Sequence, residues 1–133
     1  MKVMVFGKAT ADTEAGVPPK PGEMEAMGSY IEALVAAGII KEPIFGGLKP
    51  SSFGKRVRFT GKDRTVIDGP FPETKEIVAG FSMWDVESIE QAVEWVKKTP
   101  MTKDCEIEIR PLYSMEELAA WDEGQPAPSP SSA

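Results

Sequence analysis

Histidine is absent from the 133-residue chain. Its absence removes the commonest general base at neutral pH and the commonest protein metal ligand. A Ser-His-Asp triad and any His-bearing zinc site are therefore excluded. Cysteine is almost as scarce. Cys105 stands alone, so it can neither form a disulfide within the chain nor build a thiolate cage for zinc. It is expected to be a small buried hydrophobe. Long apolar runs are missing too. The run near the start, Val3 to Phe6, is far shorter than a signal-peptide core or a membrane span. A cytoplasmic protein with no membrane partner is the expectation. Positive charge is in deficit, with a net charge of -6 and a pI near 4.8. Such a field repels phosphate backbones, so direct nucleic-acid binding is not expected, although a local basic cluster could still hold an anion.

What is present is ordinary for a globular domain: 41% hydrophobic and 27% charged residues. The length fits one domain, placed at residues 1–122, with 123–133 expected to be a disordered Pro/Ser-rich tail. Lys2 to Phe6 reads as a strand. A long loop follows to Gly22 with Pro18, Pro19 and Pro21, and loops of that length often carry function. Met24, Met27, Ile31, Leu34 and Val35 recur at helical spacing up to a closing Gly38. Ile39 to Leu48 is a strand region broken by Gly46-Gly47. Lys55 to Thr60 and Arg64 to Asp68 form a hairpin. Ile77 to Val86 is a strand, Ser88 with Gln91 caps a second helix, Cys105 to Leu112 is a last strand, and Ser114 to Trp121 a short helix.

This rhythm predicts an α+β domain of ferredoxin-like βαββαβ type with an inserted β-hairpin. Both helices would cover one sheet face. Alternation sets Cys105, Ile107 and Ile109 against Glu106, Glu108 and Arg110, Val3 and Val5 against Met4 and Phe6, and Phe81 and Met83 against Ser82 and Trp84. The open face then mixes apolar and charged groups. A homodimer through that face is the expectation, against the plainer alternative of a solvated sheet.

The most informative stretch is Asp68-Gly69-Pro70-Phe71-Pro72-Glu73-Thr74-Lys75-Glu76. Two prolines fix two φ angles, Gly69 permits unusual dihedrals, and Asp68 can bond forward to backbone N–H groups. Phe71 is expected to anchor in the core. A stiff turn with a solvated charge cluster is one reading. A preorganised pocket wall, with Asp68 and Glu73 as acid or base groups, is the other.

This stretch resembles the Asp-Gly-Pro-Phe-Ala-Glu-Thr-Lys-Glu signature of the YCII-related family, with Pro72 in place of alanine. Met1 to Lys8, Gly46 to Ser52, Ala79-Gly80-Phe81 and Ile107 to Leu112 resemble further segments of that family in the same order. The resemblance implies the Asp-Gly-Pro-Phe subgroup and a ferredoxin-like subunit pairing as a dimeric α/β-barrel. It implies no known activity. Some relatives are fused to, or encoded beside, extracytoplasmic-function sigma factors. A few distant members are enzymes with a proposed His-Asp centre, which a chain without histidine does not carry.

Asp68 is the candidate catalytic residue, with turn capping as its structural alternative. Arg58, Glu73, Lys75, Glu76, Arg110, Met83 and Trp84 are candidate ligand-binding residues. Of Lys55, Arg56 and Arg58, the last is expected to face the signature. Asp68 and Arg110 are expected to share a cleft. Glu106 and Glu108 at i, i+2 are weak candidates for Mg²⁺, so no metal and no cofactor are predicted. The function expected is that of a small-molecule-binding or accessory domain, holding an anionic or aromatic ligand in a cleft at the dimer boundary. Alternatives are a small enzyme (a lyase, isomerase or cofactor-independent oxygenase) using Asp68, and a sigma-factor-associated interaction module.

Overall fold

Alternation in the first strand, β1 (Lys2–Lys8), decides the architecture. Val3 and Val5 point into the core while Met4 and Phe6 turn to the other side. The computed structural model describes residues 1–124, an α+β arrangement with a four-stranded and a two-stranded antiparallel sheet. After β1 come α1 (Ala11–Glu14), α2 (Glu23–Ala36), β2 (Phe45–Gly47), the hairpin strands β3 (Lys55–Thr60) and β4 (Asp63–Asp68), β5 (Val78–Asp85), α3 (Ile89–Val96), β6 (Ile107–Pro111) and α4 (Met115–Asp122). The large sheet has the order β2-β5-β1-β6, and β3 pairs with β4 alone. Among the described residues no helix is long and apolar enough to cross a membrane.

Register fixes the faces. Val3 lies opposite Trp84 and Val5 opposite Ile109, and with Leu34 of α2 and Ala92 of α3 they form the core. Both helices therefore pack on that face. The opposite face pairs Met4 with Met83 and Arg110, and Phe6 with Phe81 and Glu108. The mixed open face read from the alternation is present as expected.

Helix α2 ends as its sequence requires. Gly38 takes φ 75°, a left-handed conformation that costs glycine little. Ser88 Oγ accepts from the Gln91 N–H, while Gln91 Oε1 accepts from Glu87 N–H. Ser114 and Glu117 close a full capping box on α4.

Several expectations change. Between Ile39 and Leu48 only Phe45–Gly47 is strand, so the glycines lie in the strand and do not break it. Pro43 lacks the N–H that a longer ladder needs. The long loop contains α1, closed by a Thr10–Thr13 capping box. The last strand begins at Ile107, which leaves Cys105 outside it and exposed, not buried. Phe71 stands apart from the main core cluster and lies under the Arg56 guanidinium, 3.8 Å from its ring centroid. Glu123 and Gly124 finish α4. The rest of the expected tail, 125–133, lies outside the described residues.

Candidate functional site

Two facing glycines lie at the floor of one hollow. Gly7 of β1 lies directly opposite Gly80 of β5, on the helix side of the sheet in line with Val3 and Val5. Neither has a side chain to fill the space between sheet and helix. A Cβ built on Gly7 would find only Gly80 backbone atoms at 3.9 and 4.0 Å, which is ordinary contact. The result is a cavity of about 450 Å³, within the roughly 300–1,000 Å³ range of small-molecule sites. Its walls are Met24 and Met27 of α2, Val17, Pro18 and Pro19 of the long loop, and Met101 beyond α3. Three methionines supply a polarisable lining that suits aromatic rings.

The segment 99–106 closes one side. Thr99 Oγ1 donates to Tyr30 Oη at 3.2 Å, and Tyr30 Oη donates to the Trp95 carbonyl at 2.6 Å. Burial raises the Tyr30 pKa, and the Thr99 bond partly offsets it. Farther on, Thr102 Oγ1 donates to Glu23 Oε1 at 3.0 Å and Lys103 Nζ to Asp12. These contacts strap the segment to α2 and α1 across the hollow. Lys103 lowers the Asp12 pKa through a hydrogen bond and its charge, and Asp12 raises that of Lys103 in the same way.

The signs define a pH window. A depressed carboxylate pKa contributes above the ordinary value of 3.8 and is lost as pH falls through the folded value. A raised ammonium pKa contributes below 10.5 and is lost as pH rises through the folded value. The strap is therefore expected to hold at neutral pH and to loosen in acid. Asp12→Asn should reproduce the acid behaviour at neutral pH, with faster amide exchange at Thr102 to Asp104 and little change in melting temperature, because both groups are exposed. Unchanged exchange would show that the ion pair does not hold the segment.

A second concavity, about 500 Å³ and more open, lies beside the signature between Leu48, Lys49, Phe53, Arg56 and Phe71. Here the signature is stitched to the preceding loop through Ser51. Ser51 N–H donates to Glu14 Oε1 at 2.9 Å and its hydroxyl donates to Glu14 Oε2. Ser51 Oγ accepts from Phe71 N–H at 3.0 Å, and the Gly54 carbonyl accepts from Gly69 N–H at 3.1 Å. Gly69 packs so closely that a Cβ would sit 1.8 Å from the Ser51 carbonyl oxygen. Its φ is not positive, so the glycine serves close approach and not an unusual dihedral.

The sequence-selected residues are scattered. Asp68 pairs with Lys55 on the exposed hairpin. Glu73 pairs with Arg56 at 3.3 Å, so Arg56 and not Arg58 meets the signature. Arg58, Lys75 and Glu76 are exposed. Arg110 donates to Glu108 at 3.3 Å, and Lys8 reaches the same carboxylate at 3.4 Å. These two cations, Arg110 first, hold the Glu108 pKa below its usual range. No hydrogen bond or ion pair joins Asp68 to Arg110 among the described residues, and neither lines either of these two hollows. Met83 is on the open face, whereas Trp84 is 2% exposed in the core, its Nε1 donating to Ser82 Oγ at 2.8 Å. Core packing removes Trp84 from any cleft. Sequence reasoning missed Gly7, Gly80, Met24, Met27 and Met101 as site residues. The proline-rich loop was the signal that pointed toward them.

The YCII-related domain family model matches residues 1–116, and the chain belongs to that family. It is also similar to the uncharacterized protein R00369 of Rhizobium meliloti (strain 1021), with 32% identity over 75 residues covering 53% of this chain and 60% of that protein. The match thus spans about three fifths of the relative's length. The function of this YCII-related chain is not known.

Proposed function

We propose that the chain binds a compact, mainly apolar molecule, best an aromatic one, in the hollow over Gly7 and Gly80. The observation that carries this is the glycine floor under methionine and proline walls. Charge decides between the aromatic and the anionic ligand. Lys8 and Lys103 border the hollow but are already paired with Glu108 and Asp12, and Glu23 and Glu106 add negative charge. An anion would meet more repulsion than attraction there. The Asp-Gly-Pro-Phe segment supports a reading of the chain as a member of that subgroup, and it serves as a structural clasp, since its backbone is bonded to Ser51 and Gly54.

The strand order β2-β5-β1-β6 and both helices on one face support a ferredoxin-like reading. The open face of Met4, Phe6, Phe81 and Met83, bordered by Glu108 and Arg110, supports a homodimer through it. Lys8 borders the hollow and also joins the open-face charge chain. That shared residue favours a site beside the dimer boundary.

A thermal-shift series tests the ligand class. Indole, 2-naphthol and phenol should raise the melting temperature with dose, since a ligand at a hundredfold excess over its Kd stabilises by about 2.7 kcal/mol. Benzoate and inorganic phosphate should do much less. A shift produced by phosphate and benzoate alone would overturn the reading.

A further inference from the structure

Two elements are left uncovered by the protomer, and they carry opposite charge. The first is the β3–β4 hairpin, in which every β3 residue is exposed. Its inner side places Arg56 over Phe71. Its outer side pairs Val57 with Val66 and Phe59 with Arg64, leaving those apolar groups 51%, 60% and 69% exposed respectively. A two-stranded ribbon is marginal alone and needs packing for stability. Lys55, Arg56, Arg58, Lys62 and Arg64 outnumber Asp63 and Asp68 here, although the chain as a whole is at -6.

The second element is α4, which buries no residue. Met115, Leu118 and Trp121 are exposed, and the ring of Trp121 packs on Tyr113 with centroids 4.5 Å apart. A helix of eight residues is too short to sustain itself in water. Glu116, Glu117, Asp122 and Glu123 accompany no cation between Tyr113 and Gly124. Asp122 and Glu123 lie at the end where the helix dipole disfavours negative charge. They do not serve the helix itself. No hydrogen bond or ion pair joins the hairpin to α4 among the described residues of the protomer.

We infer that the basic apolar hairpin of one protomer docks on the acidic apolar α4 of a second copy of the chain, and the reverse. Each chain carries both halves of the contact, so a two-fold pair satisfies all four elements and closes. The exchange rests on the homodimer reading and adds to the sheet face the surfaces that seal it. The same charge complementarity would steer the encounter.

Charge reversal in trans provides the test, with the full chain and sedimentation equilibrium. One variant carries Lys62→Glu and Arg64→Glu, the other Asp122→Lys and Glu123→Lys. Lysines at the end of α4 suit its dipole, so helix loss does not explain a defect there. Each variant alone should dimerise at least about tenfold more weakly than wild type. An equimolar mixture should recover dimer, because the acidic hairpin meets the basic helix and the other contact likewise pairs opposite charges. Should losing the Arg64 bonds to the Gly61 and Asp63 carbonyls disturb the turn, Arg58→Glu with Lys62→Glu replaces the first variant. If both variants pair as tightly as wild type, or the mixture stays monomeric, the exchange is wrong and a sheet-face dimer stands. A wild-type monomer at tens of micromolar, a rough working range, removes both.

Discussion

Gly69→Ala should destabilise the protein by about 3 kcal/mol or more, lowering its melting temperature by on the order of 10 °C. The reason is a single backbone contact. The new methyl carbon would fall 1.8 Å from the Ser51 carbonyl oxygen and 2.7 Å from its carbon. Both atoms are backbone and cannot rotate away, so the two loops must part. Parting them stretches the Gly69 N–H bond to the Gly54 carbonyl and the Phe71 N–H bond to Ser51 Oγ. Ser51 is itself buried and held by Glu14, and buried polar groups that lose partners cost roughly 1–3 kcal/mol each. The total is a large share of the roughly 5–15 kcal/mol that holds a domain together. Gly47→Ala is the control. It lies in β2 with nothing within 4 Å of the added carbon, and its melting temperature should stay close to that of wild type. If Gly69→Ala melts like the control, the signature is not clasped on Ser51.

This expectation differs from what the signature suggested as a sequence. Asp68 drew attention because a carboxylate can move protons, yet it lies in an exposed pair with Lys55, an arrangement of little energetic consequence. Gly69 looked like a dihedral device and proved to be a spacing device, since the neighbour requiring the space, Ser51, is far away in sequence. Contacts of that kind leave no local pattern. Periodicity did better. The alternation in β1 and β5 separated Val3 and Val5 from Met4 and Phe6, and the register kept them separate. Gly38, Ser88 and Ser114 marked helix ends because capping is a local affair. The choice of Arg58 over Arg56 failed for the opposite reason. Arg56 and Arg58 are two residues apart and share one face of β3, so alternation cannot choose between them, and only the placement of Phe71 and Glu73 beside Arg56 decides which one meets the signature. The hollow was least legible of all. Its floor consists of missing side chains, and its walls come from Met24 and Met101, brought together by the fold.

Filling that floor should abolish binding while leaving the fold intact. Gly7→Leu is the direct means. Gly7 is not in a left-handed conformation, so a side chain is compatible with its backbone, and the first added carbon meets only ordinary contacts. The remaining atoms extend over Gly80 toward Met24 and Met27, into space that a ligand would occupy. Burying them against apolar walls is expected to stabilise the protein by about 1 kcal/mol, below the full value of a buried leucine because the hollow is partly open. The variant should therefore melt at or above the wild-type temperature. Its response to indole or 2-naphthol should vanish, with affinity reduced at least about a hundredfold, or roughly 2.7 kcal/mol. Gly7→Ala should fall between, because one methyl group removes a small part of the volume. Stability that holds while binding disappears separates occupation of the site from damage to the fold. A Gly7→Leu protein that still answers to the same aromatics would place the ligand elsewhere. The groove between Phe53 and Phe71 would be the next place to look, because its cations, Lys49 and Arg56, already lie over aromatic rings.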